Sequence, residues 1–250
     1  MNAPMAGNTR TLVLTGASRG IGHATVKKFG ASGWRIITIS RQPFSALCPW
    51  PGGEKNHVQL DLGDPVELGR GIEEIRHRLG GDGLHALVNN AAISPKGPNG
   101  KRLGAMDTPF DLWRQVFNVN FFAPVALARG LVEELSKAQG CVVNVTSIAG
   151  SRVHPFAGSA YATSKAALAS LTREMAHDFG PRGIRVNAIA PGEIDTAILS
   201  PGTEKIVEEQ IPMRRLGTPD EVADVVHFLC EKGASYVSGA EIQINGGQHV

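Results

Sequence analysis

Thr11-Leu12-Val13-Leu14-Thr15-Gly16-Ala17-Ser18-Arg19-Gly20-Ile21-Gly22 reads as a short apolar strand, a glycine-rich turn and the opening of a helix that continues to Ser32. At such a junction the backbone N–H groups of the first helical turn have no partner within the helix. With the helix dipole they form a site for a pyrophosphate. The glycines have separate physical jobs: Gly16 permits the tight turn, Gly20 lets the backbone approach phosphates, and Gly22 lets helix and sheet pack closely. A lone glycine pattern is a weak signal, and its weight here comes from the alternating strands and helices downstream of it.

Strand-like runs recur near Trp34 to Ser40, His57 to Asp61, Leu84 to Asn89, Cys141 to Thr146, Ile184 to Ala190 and Glu241 to Ile244, alternating with helical segments. Alternation of this kind means βαβ units and a parallel sheet. The strand cores Ala86-Leu87-Val88, Val142-Val143 and Val186 to Ile189 are continuously apolar, as strands covered by helices on both faces must be. The expected fold is α/β, a Rossmann-type doubly wound seven-stranded parallel sheet with helices on both faces. Residues 1–10 are expected to be a flexible tail and 11–250 a single domain, because no linker, repeat or composition shift divides the chain. Two stretches read as functional loops, Ser94 to Pro109 and Gly192 to Pro212, the second as a substrate loop. Trp113 to Leu135 is apolar almost all round, so its helix needs two partners, another subunit or a deep monomer core.

With 42% hydrophobic and 19% charged residues the chain can build a packed core. Twenty-five Lys and Arg against 23 Asp and Glu leave a charge of +2 without the basic stripe of a nucleic-acid binder. No apolar run approaches the roughly 20 residues that cross a bilayer, and Met1 to Arg10 lacks the core of a signal peptide, so no membrane partner and a cytoplasmic location are expected. Cys48, Cys141 and Cys230 are too dispersed for a disulfide framework, and no His, Cys or carboxylate set has ligand spacing, so no metal is expected.

Tyr161 and Lys165 stand one helical turn apart and project from the same face. A phenol is a poor proton donor or acceptor at neutral pH unless a nearby cation stabilises the phenolate, which an ammonium one turn away can do. Ser147 follows the fifth strand, at the sheet edge where such folds place ligand-binding groups.

Together, Thr15 to Gly22, Asn89-Asn90-Ala91-Ala92, Asn120, Ser147, Tyr161-Ala162-Thr163-Ser164-Lys165, Pro191-Gly192 and Asn245-Gly246-Gly247 make the whole chain resemble the short-chain dehydrogenase/reductase family, in its compact branch. The resemblance implies Tyr161 as the acid/base, Lys165 lowering its pKa and binding the nicotinamide ribose, Ser147 holding the substrate oxygen and Asn120 positioning a water. It implies a cofactor held by Gly16, Ser18, Arg19, Gly20, Ile21, Gly22, Ser40, Arg41, Asp61, Leu62, Asn89 and Ala91, and at its nicotinamide end by Tyr161, Lys165, Pro191, Gly192, Ile194 and Thr196.

Two departures stand out. Ala92 replaces the family's usual glycine, and the gap from Ser147 to Tyr161 is slightly long, holding His154 and Phe156. Those two either shape a substrate pocket or sit on an exposed loop, and a loop histidine is the blander reading. Glu193 reads as a selector of a hydroxylated or cationic substrate or as a solvated carboxylate. Lys96, Lys101 and Arg102 read as an anion-binding set or a solvated loop.

Charge at two places points to NADP (as NADPH) over NAD. The second strand ends Thr38-Ile39-Ser40-Arg41 with no acid until Glu54, so the carboxylate that selects a ribose 2′-hydroxyl is missing. Arg19 lies in the glycine-rich turn, where the dipole disfavours a cation unless an anion compensates it. A 2′-phosphate between Arg19 and Arg41, bonded by Ser40, would do so.

The expected function is therefore an NADP(H)-dependent oxidoreductase acting on a carbonyl or secondary alcohol, as a ketone or 3-oxoacyl reductase. The alternatives are a sugar or polyol dehydrogenase and, from a different class, a non-catalytic NADP(H)-sensing regulator. A sugar-nucleotide epimerase fits less well, since its relatives are longer and carry a differently spaced glycine turn. The resemblance implies a homotetramer. It admits an acyl carrier protein as partner through Arg182 alone, because the second such position is Ala138.

Overall fold

The computed structural model describes residues 9–44, 52–196 and 202–250. The strands are β1 (Thr11–Thr15), β2 (Arg35–Ser40), β3 (His57–Gln59), β4 (Ala86–Asn89), β5 (Cys141–Val145), β6 (Arg185–Pro191) and β7 (Glu241–Ile244). They form one parallel seven-stranded sheet in the order β3-β2-β1-β4-β5-β6-β7. The order reverses between β1 and β4, and a ligand cleft is expected outside the carboxyl ends of those two strands.

Side-chain alternation along the strands feeds two cores. Val13, Ile37, Ile39, Leu87, Val142 and Val186 face one layer, where α2 (Pro65–Leu79) contributes Leu68, Ile72, Ile75 and Leu79. Leu12, Leu14, Ile36, Val88, Val143 and Ile189 face the other, against Val26 and Phe29 of α1 (Gly20–Ala31) and Val222, Val226 and Leu229 of the C-terminal helix Pro219–Cys230. Each such fully buried aliphatic side chain contributes about 1.5–3 kcal/mol. α2 has conventional ends: Asp64 caps it by accepting from the Val66 and Glu67 N–H groups, and Gly80, at φ 62°, closes it.

The apolar stretch from Trp113 is not one helix. It divides into α3 (Phe110–Phe117), a π-helical turn at Asn118–Phe122, α4 (Ala123–Gly130) and α5 (Val132–Ala138). Its expected two-sidedness is nevertheless present. Val116, Val119, Ala123 and Leu127 are buried, while Trp113, Phe117 and Phe121 form a partly exposed row of rings 6.2 and 6.1 Å apart, flanked by exposed Phe110 and Phe122.

α6 (Ser159–Phe179) carries the Tyr161/Lys165 face, and α7 (Thr203–Gln210) occupies part of the segment read as a loop from Gly192 to Pro212. The helix Pro219–Cys230 is α8, opened by a reciprocal cap between Thr218 and Glu221. Of the tail expected at 1–10, residues 1–8 lie outside the described residues, as do Cys48 and the loop positions 197–201. Arg10 pairs with Glu231 at 2.8 Å. Among the described residues no helix is long and apolar enough to cross a membrane.

Candidate functional site

The cleft begins at the turn between β1 and α1. Gly16 (φ 70°) and Gly20 (φ 53°) lie in the left-handed region that favours glycine. A Cβ on Gly22 would stand 2.0 Å from the Gly16 carbonyl oxygen, so this turn closes only without that side chain. Asn90 completes it, its amide donating to the carbonyls of Thr15 and Gly16 at 3.0 Å each, while the Thr15 hydroxyl accepts from the Asn90 and Ala91 N–H groups at 3.0 and 2.9 Å.

In contrast to α2 and α8, α1 has Arg19 at its N-cap, no side-chain cap and no acid in its first turn. Its leading amides are left to an anion. This is the fit expected of a dinucleotide pyrophosphate.

Two adjoining cavities share Ile21, Asn90, Ala92 and Thr196. The first, of about 430 Å³, is walled by Gly16, Ser18, Arg19, Gly20, Ser40, Arg41, Asp61, Leu62 and Ala91. The second, of about 270 Å³, gathers Ser147, Tyr161, Lys165, Pro191, Gly192 and Ile194. Both are of the size and position that the two ends of a dinucleotide require. Gly22 and Asn89 line neither: Gly22 acts through packing, and Asn89 is buried in β4, donating to Asn144 at 2.8 Å. Asn120 sits in the π-helical turn, which aims it inward. Its amide is taken up by the Ile93 N–H and carbonyl at 2.9 and 3.0 Å and by Ser164 at 3.1 Å, so it holds the loop after β4.

Within the second cavity the expected acid/base electrostatics is reversed. Burial pushes the Tyr161 phenol up. A hydrogen bond with Ser147 opposes this, and the nearby Glu193 charge adds to the rise. Lys165 is 1% exposed, and desolvation pushes its ammonium down to about 7. Its Nζ donates to the Val145 carbonyl at 2.6 Å and lies 5.7 Å from the centre of the Tyr161 ring.

Sequence reasoning gave too little weight to the other wall. His154 is buried, not an exposed loop residue, and its Nε2 lies 2.5 Å from Glu193 Oε1. Glu193, also read as a solvated carboxylate, has a side chain only 12% exposed. Phe156 lines the same cavity, and its carbonyl accepts from Lys96, whose ammonium is pushed down by burial against the opposing pull of Glu193. The signal available in the sequence was the charge at Glu193 directly after Pro191-Gly192. Its partner arrives from another loop.

A family model described as enoyl-(acyl carrier protein) reductase matches residues 16–249. The chain is 62% identical to Protein FixR of Bradyrhizobium diazoefficiens over 98% of its own length and 88% of the relative's. It is also 62% identical to a solved short-chain dehydrogenase/reductase family oxidoreductase from Brucella ovis in complex with a partially ordered NAD, with TM-score 0.84, covering 95% of this chain and 100% of that one. The 3-oxoacyl-[acyl-carrier-protein] reductase of Aquifex aeolicus is 33% identical over 94% of this chain and 95% of its own.

Two expectations are corrected by these findings. The expected NADP(H)-dependent oxidoreductase, whether ketone or 3-oxoacyl reductase or sugar or polyol dehydrogenase, with Tyr161 as working acid/base, gives way. The relative named Protein FixR carries a name that states no reaction, and the reductase named for its reaction stands at about half that identity. The site points the same way, with a phenol made less acidic, a lysine short of charge and His154 tied to Glu193. The expected preference for NADP over NAD gives way to NAD, which the 62% identical structure holds. Ser40, assigned to a 2′-phosphate, instead donates its hydroxyl to the Gln42 carbonyl at 2.8 Å.

Proposed function

Because this chain belongs to the short-chain dehydrogenase/reductase family, we propose that it is a NAD-binding sensor, which takes up the dinucleotide in the family's cleft and reports its state without turning over a carbonyl substrate. The observation that carries this reading is the state of Tyr161 and Lys165. At neutral pH the phenol keeps its proton, and the ammonium that should draw that proton off is itself half-discharged by burial. The binding half of the cleft is complete, with an uncapped α1 and a glycine turn open to phosphates.

The residues proposed to hold NAD are Gly16, Ser18, Arg19, Gly20 and Ile21 at the pyrophosphate, Ser40, Arg41, Asp61, Leu62 and Ala91 around the adenosine, and Pro191, Gly192, Ile194 and Thr196 with Ser147, Tyr161 and Lys165 at the nicotinamide. Bound there, the nicotinamide supplies a group that exists in a charged oxidised and a neutral reduced form. The chain is proposed to act in the cytoplasm as a homo-oligomer, a tetramer in keeping with the family, with the row of Trp113, Phe117 and Phe121 at one interface. Arg182, through which an acyl carrier protein would dock, pairs with Glu133 at 2.6 Å on the surface.

The test is calorimetric titration with NAD⁺ beside an assay of NADH absorbance against ketones, 3-oxoacyl thioesters and sugars. Saturable binding with no loss of absorbance above buffer is expected. Sustained oxidation of NADH with any member of the panel would overturn the sensor reading.

A further inference from the structure

The Glu193–His154 pair places a fixed negative charge in the wall of the second cavity. Glu193 follows Gly192 at the end of β6, and His154 comes from the loop after β5, their side chains 12% and 10% exposed. The protonation pattern follows from the partners of the ring. His154 Nδ1 accepts from the Phe156 N–H at 3.3 Å, so Nε2 is the nitrogen that donates to Glu193 Oε1 at 2.5 Å. That hydrogen bond orients the carboxylate in the cavity wall.

Among the described residues, Lys165, Lys96 and Tyr161 are ionisable groups also placed near this carboxylate. Lys165, from α6, is pushed down to about 7 and is directed to the Val145 carbonyl. Lys96, from the loop after β4, is pushed down by burial and donates to the Phe156 carbonyl. Tyr161, pushed up, carries no charge at neutral pH. Both ammonium groups are thus directed to backbone carbonyls, while the Glu193 carboxylate, largely withdrawn from water, shares its cavity with Pro191, Gly192 and Tyr161. In such a setting a unit charge acts more strongly than in bulk water.

We propose that the His154-oriented Glu193 carboxylate makes this site discriminate between the redox forms of the dinucleotide, favouring NAD⁺, whose nicotinamide is cationic, over NADH, whose nicotinamide is neutral. The inference rests on the NAD-binding reading above and deepens it: the pair is the element through which a binding protein responds to oxidation state. Two ligands identical in adenosine, pyrophosphate and ribose differ here by one charge at one end, and the Glu193 carboxylate lies in the cavity proposed for that end. The ratio of affinities, and not either affinity alone, is the quantity controlled.

The experiment is calorimetric titration of the full chain at pH 8 with NAD⁺, NADH and ADP-ribose, on wild type, Glu193→Gln and His154→Gln. Wild type is expected to bind NAD⁺ about tenfold more tightly than NADH. Glu193→Gln should bring the two within about twofold while ADP-ribose, which lacks the nicotinamide, binds as before. His154→Gln keeps a donor to the carboxylate and should retain the preference for NAD⁺. Equal wild-type affinities, or a ratio unchanged in Glu193→Gln, would overturn the proposal. The wild-type ratio alone suffices to do so if the variant does not fold. Absence of binding by all three ligands would remove the dinucleotide reading and this inference together, whereas binding without discrimination removes only the inference.

Discussion

The two halves of the cleft are built from different materials. The pyrophosphate half is made of backbone: a glycine turn, the uncapped amides of α1 and the amide of Asn90 bracing Thr15 and Gly16. The nicotinamide half is made of side chains drawn from β6, α6 and two loops, with a buried lysine, a phenol and the hydrogen-bonded His154–Glu193 pair within one cavity. Backbone amides recognise the phosphates common to every dinucleotide and cannot be retuned without breaking the turn. Side-chain charges can be reset singly, so differences in what a shared fold does concentrate there.

The sharpest break in that comparison should come at Gly22. A methyl placed 2.0 Å from the Gly16 oxygen forces the turn open, so Gly22→Ala should lower stability by about 3 kcal/mol and abolish NAD binding, read by thermal melting and calorimetry. A variant binding NAD normally would show that the tight turn is not what shapes the phosphate site.

Lys165 should produce the next largest effect, and with the opposite sign. Its folded pKa of about 7 lies below the ordinary value of 10.5, so burying the charged form costs stability at all pH below about 7, and that cost is relieved as pH rises from about 7 to about 10.5. Lys165→Met should therefore stabilise the NAD-free protein at pH 6.5 by a few kcal/mol, less about 1 kcal/mol for the lost bond to Val145. The gain should fade toward pH 10, and melting curves of both proteins across that range read it directly. A gain independent of pH would mean that packing, not charge, is responsible.

Smaller effects are expected where each half is trimmed without disturbing its frame. Tyr161→Phe should leave NAD affinity within about twofold, since the lost hydroxyl faces Ser147 and not the phosphate site. A tenfold loss would mean that the phenol itself holds the ligand. Ser40→Ala should also change NAD affinity by less than about twofold, its hydroxyl being turned to the Gln42 carbonyl. A larger loss would mean that the hydroxyl leaves Gln42 to bond an adenosine in the cavity it lines.

The expected strands were legible to within a residue or two at most ends, because a strand covered on both faces writes its burial into consecutive residues such as Leu12-Val13-Leu14 and Val142-Val143. The segment after Trp113 was less so. Its hydrophobicity foretold two apolar sides but not the π-helical turn, in which Asn120 bonds Ile93 and Ser164, neither of them a neighbour in sequence.

The same distinction governs the function. The glycine turn, the first helix and the Tyr161/Lys165 spacing are local, since their geometry follows from bond angles and helical period, and the sequence by itself determined them. Whether Lys165 keeps its charge, whether Ser40 reaches a ligand or its own chain, and whether His154 meets solvent or Glu193 were decided only in the tertiary structure. Desolvation and side-chain pairing depend on what the fold brings alongside a residue, and His154 and Glu193 stand 39 positions apart, with α6 and β6 between them, until the pairing of β5 with β6 joins their loops.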